Sequence, residues 1–390
     1  MLHRAASVSK GCLTAIATAL LALSAANVAA QNAPATAPLD ATSLKPKARI
    51  RLLGAEVPPG TSKRLTWTGG AGMEGFVTPV PVIVMNGSGP GPVLCLTAAV
   101  HGDELNGIEV VRRVLEDLDV EILNGAVIGV PIVNIQGFYR GTRYLPDRRD
   151  LNRFFPGNAK GSAATRIAHS FFTEVVKHCS ALVDLHTGSL NRTNVPQVRA
   201  DLRNPAAARM TQAFGATVVL HSKGESGSLR RAAAAAGIPS VTFEMGEPLR
   251  VQPEQVEHGA KAVETLLYSL GMTKTRRYWG EPEPVYYASK WVRVDHGGIL
   301  FSDAALGERV SEGELLGVVT DPITNQQHRI YAPISGRVLG MALNQVVLPG
   351  FAAYRIGTET KPKSGIVAPE TSEEDAEEAV DADDVDDEAP

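Results

Sequence analysis

The sequence predicts an α/β fold: a mostly parallel, mixed sheet covered by helices, followed by a small all-β domain. Two observations carry this expectation. Between residues 93 and 267, continuous runs rich in Val, Ile and Leu alternate with helical patterns, the texture of strands buried on both faces and joined by helical crossovers. After Thr273 the texture changes to short β-type runs broken by Gly, Pro, Asn and Asp, without a helix, as in a small antiparallel domain.

Residues 48–90 read as short strands leading into the first domain, with Gly69-Gly70 and Asn86-Gly87 as turns. Buried strands are expected at 93–100, 126–133, 181–185, 217–221 and 239–244. Helices are expected at 105–118, 164–178, 205–214, 229–236 and 253–270. The β-type runs beyond Thr273 fall at 286–294, 298–301, 315–320, 328–331 and 336–339. No repeat of twenty to fifty residues is visible, which excludes a solenoid.

The expected organisation is a signal peptide over 1–30, a linker over 31–47, an α/β hydrolase domain over 48–273, a β domain over 274–357 and an acidic disordered tail over 358–390. The first 30 residues combine His3, Arg4 and Lys10 with an apolar run at 13–26 and small residues, Val28, Ala29 and Ala30, before Gln31. That is a secretory pattern, with an uncleaved membrane anchor as the alternative that the short apolar part and the small-residue cleavage pattern argue against. The mature chain is therefore expected to be exported to a periplasm-like space without a stable membrane span. Cys12 precedes the apolar run, so it does not fit lipid attachment. Cys95 and Cys179 remain, either as two buried thiols or as one bridge formed in an oxidising compartment.

Charge is unevenly spread. Residues 358–390 hold thirteen acidic residues and two lysines, a net of −11 within a chain of net −4, so residues 1–357 carry +7. Such an acidic tail, poor in aromatics, belongs to the disordered, solvating class. The mildly basic body fits a small anionic substrate and not a nucleic acid. The sequence carries no sign of an oligomeric state.

Chemistry concentrates where strands are expected to end, and in an open α/β sheet ligands gather outside the carboxyl ends of strands. His101-Gly102-Asp103-Glu104 follows the first buried run, placing a His and a Glu three apart across a strand-to-helix turn. His186 ends the run 181–185 and is followed by Thr187-Gly188. Two His and a carboxylate leaving a position for water form a catalytic zinc arrangement. Asp184, two residues before His186, shares its strand face and is either a partner for a ring nitrogen or a buried polar residue. Glu244 closes the run 238–243 and is the favoured general base, with Glu247 as competitor. Arginines crowd the loop 140–153, which leaves the same rim after the strand 126–133; an arginine there can bind a carboxylate or polarise a carbonyl oxygen.

Four motifs in order, His101 to Glu104, Arg143 through Asp150-Leu151-Asn152-Arg153 to Phe155-Pro156-Gly157, Asp184 to Gly188, and Glu244 in Phe-Glu-Met-Gly, resemble the succinylglutamate desuccinylase/aspartoacylase family, a branch of the zinc carboxypeptidases. The resemblance runs from about residue 93 to 270. The remainder resembles the family's C-terminal β domain, especially around 307–317 and Ala332-Pro333-Ile334-Ser335-Gly336. It implies one Zn2+ per chain on His101, Glu104 and His186, with Glu244 activating the water that attacks an amide carbonyl. Arg143 would polarise that carbonyl, with Arg148 and Arg149 as alternatives; Asn152 and Arg153 would hold a substrate carboxylate, and Arg230 would match another substrate-binding arginine.

The expected function is therefore zinc-dependent hydrolysis of N-acyl amino acids or similar small anionic amides. A carboxypeptidase or amidase acting on peptides or cell-wall fragments is the alternative within enzymes. A secreted metal-binding protein of little activity is the alternative outside them.

Overall fold

The computed structural model of the protein describes residues 49–69, 78–274 and 283–359. The expected signal peptide, linker, Gly69-Gly70 turn and most of the acidic tail lie outside them. The described chain starts with β1 (Ile50–Leu52), β2 (Ala55–Val57), β3 (Thr61–Trp67), β4 (Val80–Asn86) and β5 (Gly89–Ala98). It continues with α1 (Asn106–Asp117), β6 (Asn124–Val130), α2 (Ile135–Arg140), α3 (Ala163–Glu174), β7 (Ala181–His186), β8 (Arg192–Ala200), α4 (Pro205–Thr211), β9 (Val218–His221), α5 (Leu229–Ala235), β10 (Ser240–Gly246) and α6 (Pro253–Ser269). Nine short strands follow: β11 (Val285–Tyr286), β12 (Ala288–Arg293), β13 (Gly298–Ser302), β14 (Arg309–Val310), β15 (Leu315–Thr320), β16 (Gln327–Tyr331), β17 (Gly336–Ala342), β18 (Val346–Val347) and β19 (Ala352–Thr358).

The central sheet runs β12-β19-β17-β8-β10-β7-β5-β6-β4-β3. Its middle, β10-β7-β5-β6, is parallel, as the apolar runs predict. These strands are buried on both faces, β7 at every position, so each side must be covered. On one side α1 inserts Val110, Val111, Val114 and Leu115, and α6 packs beside it with Val256, Val263, Leu266 and Leu267. On the other, α3 and α5 contribute Phe171, Phe172, Leu229 and Ala233. Each fully buried Val, Leu or Phe side chain stabilises the fold by about 1.5–3 kcal/mol. A bridge between Cys95 in β5 and Cys179 just before β7 joins the two central strands, with Cα atoms 5.7 Å apart. Among the described residues no helix is long and apolar enough to cross a membrane.

Three features depart from the sequence reading. The strand before His101 ends at Ala98, because Ala98 and Ala99 carbonyls accept from the N–H groups of Val133 and Asn134; His101 lies three residues beyond, in the turn. The helix expected over 164–178 breaks at Val175, whose φ of −122° and ψ of −61° are non-helical, and resumes as a 3-10 turn over Val176–His178. The third is β8. It is antiparallel to both β10 and β17 and carries the sheet on into β17, β19 and β12, while β13, β15, β16 and β18 form a separate antiparallel sheet.

His258 in α6 illustrates how burial sets a stability profile. Thr217 Oγ1 donates to the Phe214 carbonyl, so it accepts from His258 Nε2–H at 3.1 Å. Burial first, and then the Lys261 charge, push the imidazole pKa down to about 4 from 6.5. The unfolded chain then binds a proton that the folded chain refuses between pH 6.5 and 4, so stability falls as the pH drops through that window, by up to about 3 kcal/mol for this group. Urea unfolding of His258→Gln should show a flatter dependence there than wild type. Identical slopes would remove His258 as a source of acid sensitivity.

Candidate active site

The functional candidates meet at the carboxyl ends of β5, β7 and β10. His186 ends β7, and Glu244 lies directly beside it in register on β10, a strand spacing of about 4.8 Å. His101 and Glu104 occupy the turn between β5 and α1. That turn is fixed from below by Asn106, whose side chain donates to the Met245 carbonyl and Gln252 and accepts from Gln252 N–H. It is fixed from the side by a backbone contact at Gly102, where an added Cβ would sit 2.1 Å from Gly137 C and 2.2 Å from Phe138 N.

His101, Glu104 and His186 are buried and bring one ligand atom each within 4.8 Å of the others. His101 Nδ1 lies 2.8 Å from Glu104 Oε1, His186 Nδ1 lies 2.7 Å from Glu104 Oε2, and the two Nδ1 atoms are 3.2 Å apart. Each ring is held at its far nitrogen by a carboxylate: His101 Nε2 by Asp150 at 3.1 Å, His186 Nε2 by Asp184 at 2.8 Å. Thr97 Oγ1 in turn donates to Asp184 at 2.7 Å. The two-residue offset of Asp184 from His186 therefore resolves in favour of a ring partner. Asp150 in the same role was not singled out in the sequence.

This donor set fits a divalent cation. Two imidazoles whose Nε2 atoms are held by carboxylates turn their Nδ1 atoms inward, where loss of the Nδ1 protons would free both as ligands, and Glu104 supplies an oxygen. Without an ion, the same carboxylates favour protons on the two imidazoles, and a bound cation would take the place of that charge. Burial opposes charge on Glu104, yet His101 and His186 hold its carboxyl well below the usual range. Burial likewise opposes charging of His186, but Asp184 and Glu104 raise its pKa well above the ordinary imidazole value. The protein thus stabilises charge at a point of convergence.

Arg143 adjoins this centre. Asp150 takes two of its N–H groups, at 2.9 and 3.2 Å, and its Nη1 lies 3.3 Å from Glu104 Oε1. Arg148 and Arg149 are exposed and outside the pocket wall, so of these three arginines Arg143 is the one that lines it. Asn152 and Arg153 line the pocket on a 3-10 turn capped by Asp150. Asn152 Oδ1 accepts from Leu229 N–H at 2.8 Å, so Nδ2 is the group it can offer a ligand. The same bond ties the turn to α5, which carries Arg230. Arg230 is buried, donates to Ser222 and lines the same pocket. Glu247 pairs with Arg250 at 3.1 Å and does not line the pocket.

The sequence reading missed the far wall. Arg192, Asn194 and Arg199 enter the pocket from β8, and Trp291 and Arg355 from β12 and β19. Arg192 stacks over Trp291 at 5.1 Å and over Phe351 at 5.0 Å, and Arg355 over Trp291 at 5.3 Å. One signal was available: residues 192–199 hold Arg192, Asn194, Gln197 and Arg199, and three of these four line the pocket.

Gly102→Ala is expected to cost about 1–3 kcal/mol through overpacking and to displace His101 and Glu104. Its melting temperature and its metal content after zinc loading should both fall. A variant matching wild type in both would show that the Gly102 contact does not constrain the site.

The Succinylglutamate desuccinylase/Aspartoacylase catalytic domain matches residues 90–270. Among curated proteins, the N-alpha-acetyl-L-2,4-diaminobutyric acid deacetylase of Halomonas elongata is 28% identical over 254 residues, covering 62% of this chain and 74% of that protein. Among solved structures, the product-bound ectoine utilization protein EutE of Ruegeria pomeroyi superposes with a TM-score of 0.70 at 23% identity, over 77% of this chain and 97% of that one. A succinylglutamate desuccinylase/aspartoacylase from Rhodobacter sphaeroides gives 0.68 at 24%, over 73% and 91%. The solved structures establish a shared fold, and the residues matched by sequence include all four motifs. Residues 90–270 are thus similar to the catalytic domain of the succinylglutamate desuccinylase/aspartoacylase family, the resemblance that the four motifs carry.

Proposed function

We propose that this protein is a zinc-dependent deacylase that hydrolyses the amide bond of N-acyl amino acids or similar small anionic amides. The observation that carries the reading is the convergence of His101 Nδ1, Glu104 and His186 Nδ1 beside Glu244 in a pocket walled by arginines. His101, Glu104 and His186 would hold one zinc ion. When bound, such an ion lowers the pKa of a coordinated water and polarises a carbonyl oxygen.

The chain's own residues supply the rest. Asp150 and Asp184 fix the direction of the two rings. Glu244, one strand from His186, is placed to take a proton from the attacking water and return it to the leaving amine. Arg143, held by Asp150, is a fixed positive charge for a developing oxyanion. Asn152 Nδ2, Arg153 and Arg230 offer donors to a substrate carboxylate. Trp291 and Arg355 wall the pocket on the C-terminal side, which favours a small substrate over a peptide. Deacetylation of an N-acetylated diamino acid by the Halomonas relative supports the same reaction class. Export to a periplasm-like space is the proposed location, supported by the Cys95–Cys179 bridge, since such bonds persist in oxidising compartments.

Glu244→Gln should retain zinc and lose about 10²–10⁴-fold in kcat, measured on N-acetyl, N-succinyl and N-formyl amino acids beside short peptides. Turnover equal to wild type would remove Glu244 as the base; cleavage of peptides alone would move the reading to a carboxypeptidase. His186→Ala should lose zinc, and equal zinc content would take His186 out of the site. In cell fractions, Cys95 and Cys179 should resist thiol alkylation and the protein should appear with periplasmic markers. Alkylatable thiols in the cytoplasmic fraction would overturn the proposed location.

A further inference from the structure

Glu244 is itself held in place by its neighbours. The carboxylate is buried, and each of its oxygens meets a side chain from β8. Arg199 Nη1 lies 3.3 Å from Oε1, and Asn194 Nδ2 donates to Oε2 at 3.2 Å. The register explains the reach. Gln197 is opposite Glu244, Arg199 is opposite Thr242, and Asn194 is opposite Gly246, with an irregularity between Glu244 and Gly246. Arg199 and Asn194 therefore approach the carboxylate from its two sides along the neighbouring strand. Both also line the pocket with Glu244.

A glutamate has three side-chain torsions, and a base that must meet one water at hydrogen-bond distance cannot sample them freely. A guanidinium and an amide placed on separate oxygens fix the carboxylate plane. We propose that Arg199, assisted by Asn194, is the positioning residue for Glu244. It acts on the reaction through that carboxylate and not by contact with the reacting atoms. The proposal rests on the reading of Glu244 as the base.

A double-mutant cycle on the zinc-loaded full chain tests it, with N-acyl amino acid hydrolysis and zinc content as readouts. Arg199→Gln should lower kcat at least tenfold with zinc content unchanged, and Arg199→Lys should recover most of the loss. The decisive comparison is made in the Glu244→Gln background. A residue that works through Glu244 has nothing left to position there, so the double variant should be as slow as Glu244→Gln alone, within about twofold. A further tenfold loss in the double variant would overturn the proposal, because it would show Arg199 acting on substrate or fold independently. Should Arg199→Gln not fold, Asn194→Ala carries the same cycle, with a smaller single loss and the same non-additivity expected. Wild-type rates for Glu244→Gln itself would instead reject the base, an outcome distinct from additivity.

Discussion

Everything in the site depends on two imidazoles being gripped from behind. Asp150 and Asp184 take the Nε2–H groups of His101 and His186, so both Nδ1 atoms must face the same small volume, where Glu104 meets them. Without these carboxylates each ring would rotate, and either nitrogen would serve. With them, the direction of each ring is set before any ligand arrives. The arrangement is electrostatically costly. It places three carboxylates, two imidazoles and Arg143 in a buried space, and it persists because each charge has opposite charges and hydrogen bonds around it.

That constraint reaches into the fold. Asp184 and His186 are alternate residues of β7, the strand between β5 and β10, so their shared face is determined by the strand period. Asp150 sits on a loop tied in three directions: to Arg143 through its carboxylate, to Asn152 N–H as a cap, and through Asn152 to the start of α5. The parallel centre of the sheet thus sets the imidazoles, and the arginine loop is fastened onto them. The C-terminal strands enter by a different route. They join the sheet through β17 and β8, and this edge brings Trp291 and Arg355 to the pocket beside Arg192.

The sequence made the parallel centre legible because its strands are apolar at nearly every position, and it made the metal candidates legible because His101, Glu104 and His186 follow those runs. The wall from β8 was not legible as a strand, although its run of polar residues was visible. Its residues are buried but polar, Arg192, Asn194, Gln197 and Arg199 among them, so neither an apolar run nor a simple alternation marks the strand. Its antiparallel direction is also unexpected in a chain that reads as strand and helix by turns. The role of Asp150 was hidden for another reason: 49 residues separate it from His101, and only folding of the loop joins them. Glu104 and Asp184 lie three and two residues from their histidines, and such local spacings can be read directly.

The site is expected to hold one metal ion between His101 Nδ1, Glu104 and His186 Nδ1. Anomalous diffraction at the zinc edge from crystals of the zinc-loaded protein tests this most directly. A single strong peak is expected about 2.0–2.2 Å from those three atoms, with the Asp150 and Asp184 contacts to Nε2 retained. A peak elsewhere, or coordination through Nε2 with the aspartates displaced, would contradict it.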